Sequence, residues 1–306
     1  MQPSHHASQR ADTAAVHEKR SLLLDQPRMA GYARAESHRV ATNRGRTYLV
    51  NVALPEGAPP PQGFPIVYVL DAGACFGTML EAVRMQSRRP ARTGVEAAIV
   101  VGIGYDTQET FDIDQRLHDL TPSVTQEFPG SGGANEFLDF LETDLLPACE
   151  RRYTADPRRR LLFGHSLGGL FALHVLFTRP YLFSSVAAAS PSLWWDGGAL
   201  KAERLFCARY DRLAQHTRLL ICIGALERGL PAGLLKLQPN AGDKHMVDRA
   251  RELATRLQAL NDPLLNISFV EFADENHASV VPAAISRSLR LLTRLYPEAR
   301  EGAADV

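Results

Sequence analysis

No stretch of this 306-residue chain is long and apolar enough to span a membrane. The opening residues, Met1-Gln2-Pro3-Ser4-His5-His6 and on to Arg20, lack the apolar core of a secretory signal, and the patch Leu22 to Leu24 is too short to supply one. The expectation is a cytoplasmic protein, with the periplasm as second choice. A surplus of charge is also missing, since lysine plus arginine and aspartate plus glutamate both number 34. Chains that hold nucleic acid or a membrane surface non-specifically carry a basic excess, so neither is an expected partner. Cysteine is scarce. Cys75, Cys149, Cys207 and Cys222 stand apart without C-x-x-C spacing, which excludes the usual zinc and redox motifs. Cys222 falls in an apolar run and reads as a small buried hydrophobe. Internal repeats are lacking, and nothing in the sequence fixes an oligomeric state.

What is present is an α/β pattern. An apolar share of 45% is ordinary for a chain that buries a sizeable core. Thr47 to Leu54 is rich in β-branched and aromatic residues and reads as a strand, followed by a proline- and glycine-rich loop to Gly63. Continuous apolar runs recur at 65–70, 97–104, 161–163, 218–224 and 266–272, as in strands covered on both faces. Between them, Ala134 to Tyr153, Met246 to Leu260 and Ala284 to Leu295 repeat apolar residues at helical spacing. Strands alternating with helices predict a mostly parallel, doubly wound sheet flanked by helices. Residues 1–30 are polar and read as a tail, leaving 31–300 as one α/β domain.

The chemistry concentrates at Gly164-His165-Ser166-Leu167-Gly168, which fits G-x-S-x-G. In the α/β-hydrolase fold this pattern is the nucleophile elbow, a tight strand-to-helix turn that pushes a serine hydroxyl outward. Side chains two residues before and after the serine collide in such a turn, so both positions need glycine. The context agrees, with Leu161-Leu162-Phe163 leading in as a buried strand and Leu170 to Phe177 leading out as a mostly apolar helix that ends near Arg179-Pro180. The competing reading is a plain glycine-rich turn.

A serine hydroxyl is a weak nucleophile at neutral pH and needs a base, which in turn needs an acid to orient it. In this fold the order along the chain is serine, acid, histidine, at the carboxyl ends of strands. Among the downstream histidines, His174 lies well into the helix, His216 precedes a strand and His245 is ambiguous near a helix start. His277 follows the last strand in Phe272-Ala273-Asp274-Glu275-Asn276-His277, where a base belongs. Glu227, just past the run ending at Gly224, is the first candidate for the acid; Asp243, Asp248 and Asp274 are rivals. The oxyanion hole needs two backbone N–H groups. Leu167 supplies one, and the loop Leu70-Asp71-Ala72-Gly73-Ala74 the other, with Ala72 ahead of Gly73.

The chain resembles the siderophore-esterase group of α/β-hydrolases, the enterobactin and salmochelin esterase-like proteins, from about residue 40 to 295. The segments that carry the likeness are Val67-Tyr68-Val69-Leu70-Asp71, Gly102-Ile103-Gly104-Tyr105, Arg116 with Asp119-Leu120-Thr121-Pro122, the elbow, Ser190-Pro191-Ser192-Leu193-Trp194-Trp195, Gly224-Ala225-Leu226-Glu227 and Asn276-His277. The resemblance implies a serine esterase with Ser166 as nucleophile and His277 as base, acting on ester or lactone bonds of a catecholate siderophore of the enterobactin type. No metal or organic cofactor is implied, iron arriving only as part of the substrate. Arg116 is then expected to face an anionic substrate, with Trp194, Trp195, Asp71, Gly73 and His165 as further substrate contacts. The group usually has glycine where this chain has Ala72.

The residues leave alternatives. Arg116 also suits a structural ion pair, and the tryptophans suit the core. Arg84, Arg88, Arg89 and Arg92 are either a steering patch at the site or a solvated helix face. The elbow equally serves a small-acyl carboxylesterase or an acyltransferase, and the scaffold a non-catalytic binding protein.

Overall fold

The computed structural model of the chain describes residues 35–198, 201–209, 213, 215–228 and 245–292. The expected tail at 1–30, Asp243, most of the stretch between Glu227 and Asp243, and Leu295 lie outside them. Eight strands among the described residues form one sheet: β1 (Ala35–Ala41), β2 (Thr47–Ala53), β3 (Phe64–Leu70), β4 (Ile99–Gly104), β5 (Ala155–His165), β6 (Ser185–Ala189), β7 (Thr217–Gly224) and β8 (Leu265–Phe272). Their order is β1-β2-β4-β3-β5-β6-β7-β8. The β1–β2 and β2–β4 pairs are antiparallel and every other pair is parallel.

Eight helices matter here: α1 (Ala72–Gln86), α2 (Ile113–Asp119), α3 (Ala134–Phe140), α4 (Leu146–Arg152), α5 (Leu167–Thr178), α6 (Lys201–Ala208), α7 (Met246–Gln258) and α8 (Val280–Ser288). Strand β3 is buried along its whole length, and its side chains divide between two cores. Val67 and Val69 meet Met79, Leu80 and Val83 of α1 and Ile285 of α8. Ile66, Tyr68 and Leu70 turn the other way, towards the core that holds Phe137 of α3, Phe171 of α5 and Leu253 of α7. This alternation is why a parallel strand reads as an unbroken apolar run. The fold is that of the α/β-hydrolases.

Two strands escape a search for apolar runs. Strand β1 lies at the sheet edge and alternates exposed and half-buried residues. Strand β6 is Ser-Val-Ala-Ala-Ala, poor in strand formers, yet fully buried between β5 and β7. The helix expected over 134–153 is interrupted. A π-helical turn at Leu141–Leu145 separates α3 from α4, whose start carries Pro147; without an N–H, proline cannot continue the upstream bonding. The last helix begins at Val280 rather than Ala284, and a tighter 3-10 turn at Leu289–Leu292 follows it.

The topology fixes the place of the site. From β3 the chain crosses to β4 on one side and then to β5 on the other, so the sheet order reverses between β3 and β5. A crevice opens outside the carboxyl ends of strands at such a switch point. Val69 lies opposite Phe163, His165 opposite Ala189, and Ala189 opposite Cys222. Asp71, Ser166, Ser190 and the residues after Gly224 therefore leave the sheet along one rim.

Candidate active site

Ser166 occupies the sharp turn between β5 and α5 with φ 59° and ψ −117°, a conformation L-residues rarely adopt. The surroundings hold it there. Its N–H donates to Ala189 O at 3.0 Å, and its carbonyl accepts from Leu170 N at 3.0 Å and Ser192 N at 3.1 Å. A methyl group on Gly164 would run into the carbonyl of Gly168, so strand and helix close on each other only with glycine at 164; at Gly168, also expected to collide, the nearest atom is Asp71 Oδ2 at 3.3 Å, and at Gly169 a methyl would stand 3.0 Å from Ala189 O. The hydroxyl of Ser166 shares a hydrogen bond of 3.3 Å with that of Ser192.

A second helix starts the same way on the neighbouring strand. Asp71 follows β3 in the left-handed region, φ 54° and ψ 55°, and Ala72 opens α1 as Leu167 opens α5. The N–H of a first helical residue has no intrahelical acceptor, and the helix dipole adds positive potential at that end. Ala72 and Leu167 thus offer two such amides on adjacent strands. The methyl of Ala72 fits because β4 has glycine opposite it: Cβ atoms at Gly102 and Gly104 stand only 3.0 and 3.1 Å from the Ala72 Cβ. Beside it opens a cleft of about 70 Å³ lined by Asp71, Ala72, exposed Gly73, Tyr105 and Thr110.

Glu227 and His277, the expected acid and base, come from the far side of the rim. Glu227 sits in a 3-10 turn directly after β7. Its Oε1 accepts from Ser190 Oγ at 2.6 Å and Gly224 N at 2.9 Å, and its Oε2 from His277 Nδ1 at 2.6 Å. Burial works to raise the Glu227 pKa, but hydrogen bonds from His277, Ser190 and Gly224 outweigh it and hold the carboxyl below its ordinary value. Because a carboxylate only accepts, Nδ1 of His277 carries the proton and Nε2 is left with its lone pair. Asn276 shapes the loop that carries His277, its Oδ1 accepting from Ala278 N at 2.9 Å and Ser279 N at 3.0 Å. The acid and base loops touch at Gly224, where a methyl group meets the carbonyl of Glu275, and at Leu226, whose N–H donates to Glu275 O at 3.0 Å. Asp248 lies in the first turn of α7, and Asp274 is exposed in a left-handed conformation. Neither is hydrogen-bonded to His277, and among the described residues no hydrogen bond joins Ser166 Oγ to the His277 ring.

Residues 41–263 match the model of the Esterase family. The chain belongs to that family. It is 41% identical to the ferri-bacillibactin esterase BesA of Bacillus subtilis, over 84% of this chain and 87% of that protein. It is 31% identical to the siderophore triacetylfusarinine C esterase of Aspergillus fumigatus, over 91% of this chain and 99% of that one. Among solved structures, the BES protein from Bacillus cereus superposes with a TM-score of 0.80 at 36% identity, covering 88% of this chain and 98% of its own.

The other residues of this esterase that the sequence singled out fall as follows. Arg116 is buried, and two of its nitrogens are committed to Asp71, Nε to Oδ1 at 2.5 Å and Nη2 to Oδ2 at 3.0 Å. Its guanidinium also lies 4.7 Å from the Phe111 ring centroid. Arg116 and Asp71 therefore satisfy each other, which is the structural ion pair left open for Arg116 beside the substrate contact that the resemblance implied. Trp195 is 1% exposed, stacks on Phe128 with centroids 5.3 Å apart, and donates its indole N–H to Ser123 Oγ at 3.2 Å, so it supports the fold. Trp194 is half-buried. His165 is buried rather than open to substrate, with Nε2 at 2.8 Å from the His277 carbonyl. His174 is buried against Asn135, 2.9 Å away, as a structural histidine.

The arginine cluster is exposed, and Arg84 pairs with Glu81 at 2.8 Å. Helix α1 runs back from the rim, so Arg84, twelve residues beyond Ala72, stands about 18 Å along it, towards the opposite end of the sheet. Arg88, Arg89 and Arg92 follow still further on.

The sequence reading gave no role to Ser190, Ser192 or Gly224. A signal for the serines was available: they follow a strand that pairs in parallel with the elbow strand, so they must emerge beside Ser166.

Proposed function

We propose that this esterase hydrolyses the ester bonds of a catecholate siderophore of the enterobactin type, with Ser166 as nucleophile, His277 as base and Glu227 as orienting acid. The observation that carries the assignment is the His277–Glu227 hydrogen bond at the same rim as the strained serine. Glu227 keeps the proton on Nδ1, so Nε2 is free to take the Ser166 hydroxyl proton as Oγ attacks the ester carbonyl. The carbonyl electrons move onto oxygen, and the amides of Leu167 and Ala72 stabilise that oxyanion. When the tetrahedral species collapses, the C–O bond to the alcohol breaks and His277 returns the proton to the leaving oxygen. Water repeats the sequence on the acyl-enzyme, giving the free acid and the original serine.

The Ser166 hydroxyl must turn from Ser192 towards His277 for this; catalytic hydrogen bonds are commonly long or misaligned before substrate binds. The names of the relatives, esterases of bacillibactin and of triacetylfusarinine C, support a siderophore ester as substrate. Opening such a scaffold weakens iron chelation, because the catechols lose their mutual effective concentration. We place the reaction in the cytoplasm, in keeping with four free thiols, three of them buried.

The test is product analysis by mass spectrometry with apo and ferric enterobactin beside para-nitrophenyl butyrate. The expected result is successive gain of water by the trilactone. Turnover of the butyrate alone would make this a small-acyl carboxylesterase, acyl transfer to an added alcohol in place of water an acyltransferase, and no turnover of any ester a binding protein.

A further inference from the structure

We propose that His165 is a positioning residue for the reaction: its Nε2–H fastens the main chain of His277 to the nucleophile's own turn and so keeps the base within reach of Ser166. The inference rests on the assignment of Ser166 and His277 above.

The loop that carries His277 has few anchors. Asp274, Asn276, His277, Ala278 and Ser279 are exposed, and the His277 side chain is 47% exposed. Its side-chain bond to Glu227 and the Leu226–Glu275 main-chain bond both run to the segment after β7. They tie base to acid, and Glu227 reaches the serine's turn only indirectly, through Ser190 and the segment after β6. The link to β5 is His165, whose Nε2 lies 2.8 Å from the His277 carbonyl and whose ring packs on the His277 ring with centroids 4.6 Å apart.

The chemistry of this bond leaves one arrangement. A carbonyl oxygen only accepts, so the proton of His165 is on Nε2. His165 is the last residue of β5, paired with Ala189 of β6, and is followed by the strained Ser166. It therefore sits on backbone held by the sheet and reaches to an exposed loop. Facing it are His277, Glu227 and Arg116. Burial, then the neighbouring His277, push its pKa down to about 4, so at neutral pH it stays uncharged while His277 takes up the serine proton. A permanent cation in its place would oppose the imidazolium formed on His277.

The test compares His165→Asn with His165→Gln in the full chain, read by steady-state kinetics on para-nitrophenyl butyrate. The glutamine amide extends about as far as Nε2 and keeps a donor there, whereas asparagine stops short. The expected result is a fall in kcat of about 10- to 100-fold for asparagine with KM within about twofold, and recovery to within about threefold of wild type for glutamine, since displacements near 1 Å cost that much in oriented reactions. If the asparagine variant does not fold, His165→Phe keeps the ring packing without the donor and gives the same reading. Wild-type kcat in the donor-less variant, equal losses in both variants, or a change confined to KM would each overturn the proposal. His277→Ala separates this from the underlying assignment. Activity that survives in His277→Ala defeats the triad, whereas an inactive His277→Ala beside a fully active His165→Asn defeats only the role of His165.

Discussion

The two ends of the sheet handle charge in opposite ways. At the carboxyl end, two carboxylates are sealed against partners: the Glu227 side chain is 4% exposed against His277, and that of Asp71 2% exposed against Arg116. Away from it, along and beyond α1, Arg84, Arg88, Arg89 and Arg92 stand in solvent. Solvent screens the second group almost completely, whereas the low local dielectric strengthens each interaction in the first. At the rim that carries Ser166 the close pairing of Glu227 and His277, and not the density of charge, is what stands out. Nearness in sequence misleads here because a single helix carries the chain from one end to the other.

The largest expected effect lies in the buried set. Glu227→Gln should lower kcat by about 10³- to 10⁴-fold with little change in KM, since the amide no longer fixes the imidazole tautomer. Asp248→Asn and Asp274→Asn should stay within about twofold; a comparable loss in Asp274→Asn would reassign the acid.

Next is the pair that anchors the start of α1. Asp71→Ala leaves the Arg116 guanidinium buried without its partner and should cost about 3–5 kcal/mol in urea denaturation. It should also lower kcat, because the Ala72 amide loses its anchor. A loss under 1 kcal/mol would mean that Arg116 reaches water, and the contrast between the two ends would blur.

An effect of comparable size is the acid sensitivity of the fold. Burial pushes His165 and His174 down to about 4. The unfolded chain therefore binds more protons than the folded one between pH 6.5 and 4, so stability falls as pH drops through that window and is flat above it. A shift of this size corresponds to about 3 kcal/mol for each histidine. The depressed Glu227 acts in the same direction at lower pH: its contribution is present above the ordinary carboxylate pKa and is lost as pH falls through its own. Urea midpoints at pH 7.5, 5.5 and 4.5 check this, and His174→Gln should reduce the slope by one proton. Equal midpoints across the series would contradict the burial of both histidines.

The smallest effect belongs to the exposed end. Replacing Arg84, Arg88, Arg89 and Arg92 together by glutamine should change kcat/KM for an anionic siderophore by less than about twofold and leave its salt dependence intact. A tenfold loss would restore this cluster to the substrate path.

How legible the sequence was follows the same division. Strands such as β3 and β4, buried on both faces, announce themselves as apolar runs, and the elbow announces itself because one backbone conformation demands serine and glycine at fixed spacing. Glu227 and His277 were singled out by the rule that catalytic groups follow the carboxyl ends of strands, and the two side chains are hydrogen-bonded to each other. Arg116 and Trp195 stayed open between a site and a structural role because their partners, Asp71 and Ser123, lie 45 and 72 residues away in the chain. No local pattern tells a guanidinium that meets a ligand from one that meets a carboxylate. Strand β6 was missed because alanine has weak strand preference and only its neighbours keep it extended.

The central claim is that Ser166 is the activated nucleophile, and covalent labelling tests it most directly. Full-length protein treated with a fluorophosphonate, digested and analysed by peptide mass spectrometry should carry one adduct, on the peptide containing Ser166, with labelling slowed by orders of magnitude in His277→Ala. An adduct elsewhere, or ester hydrolysis that persists in Ser166→Ala, would contradict the account.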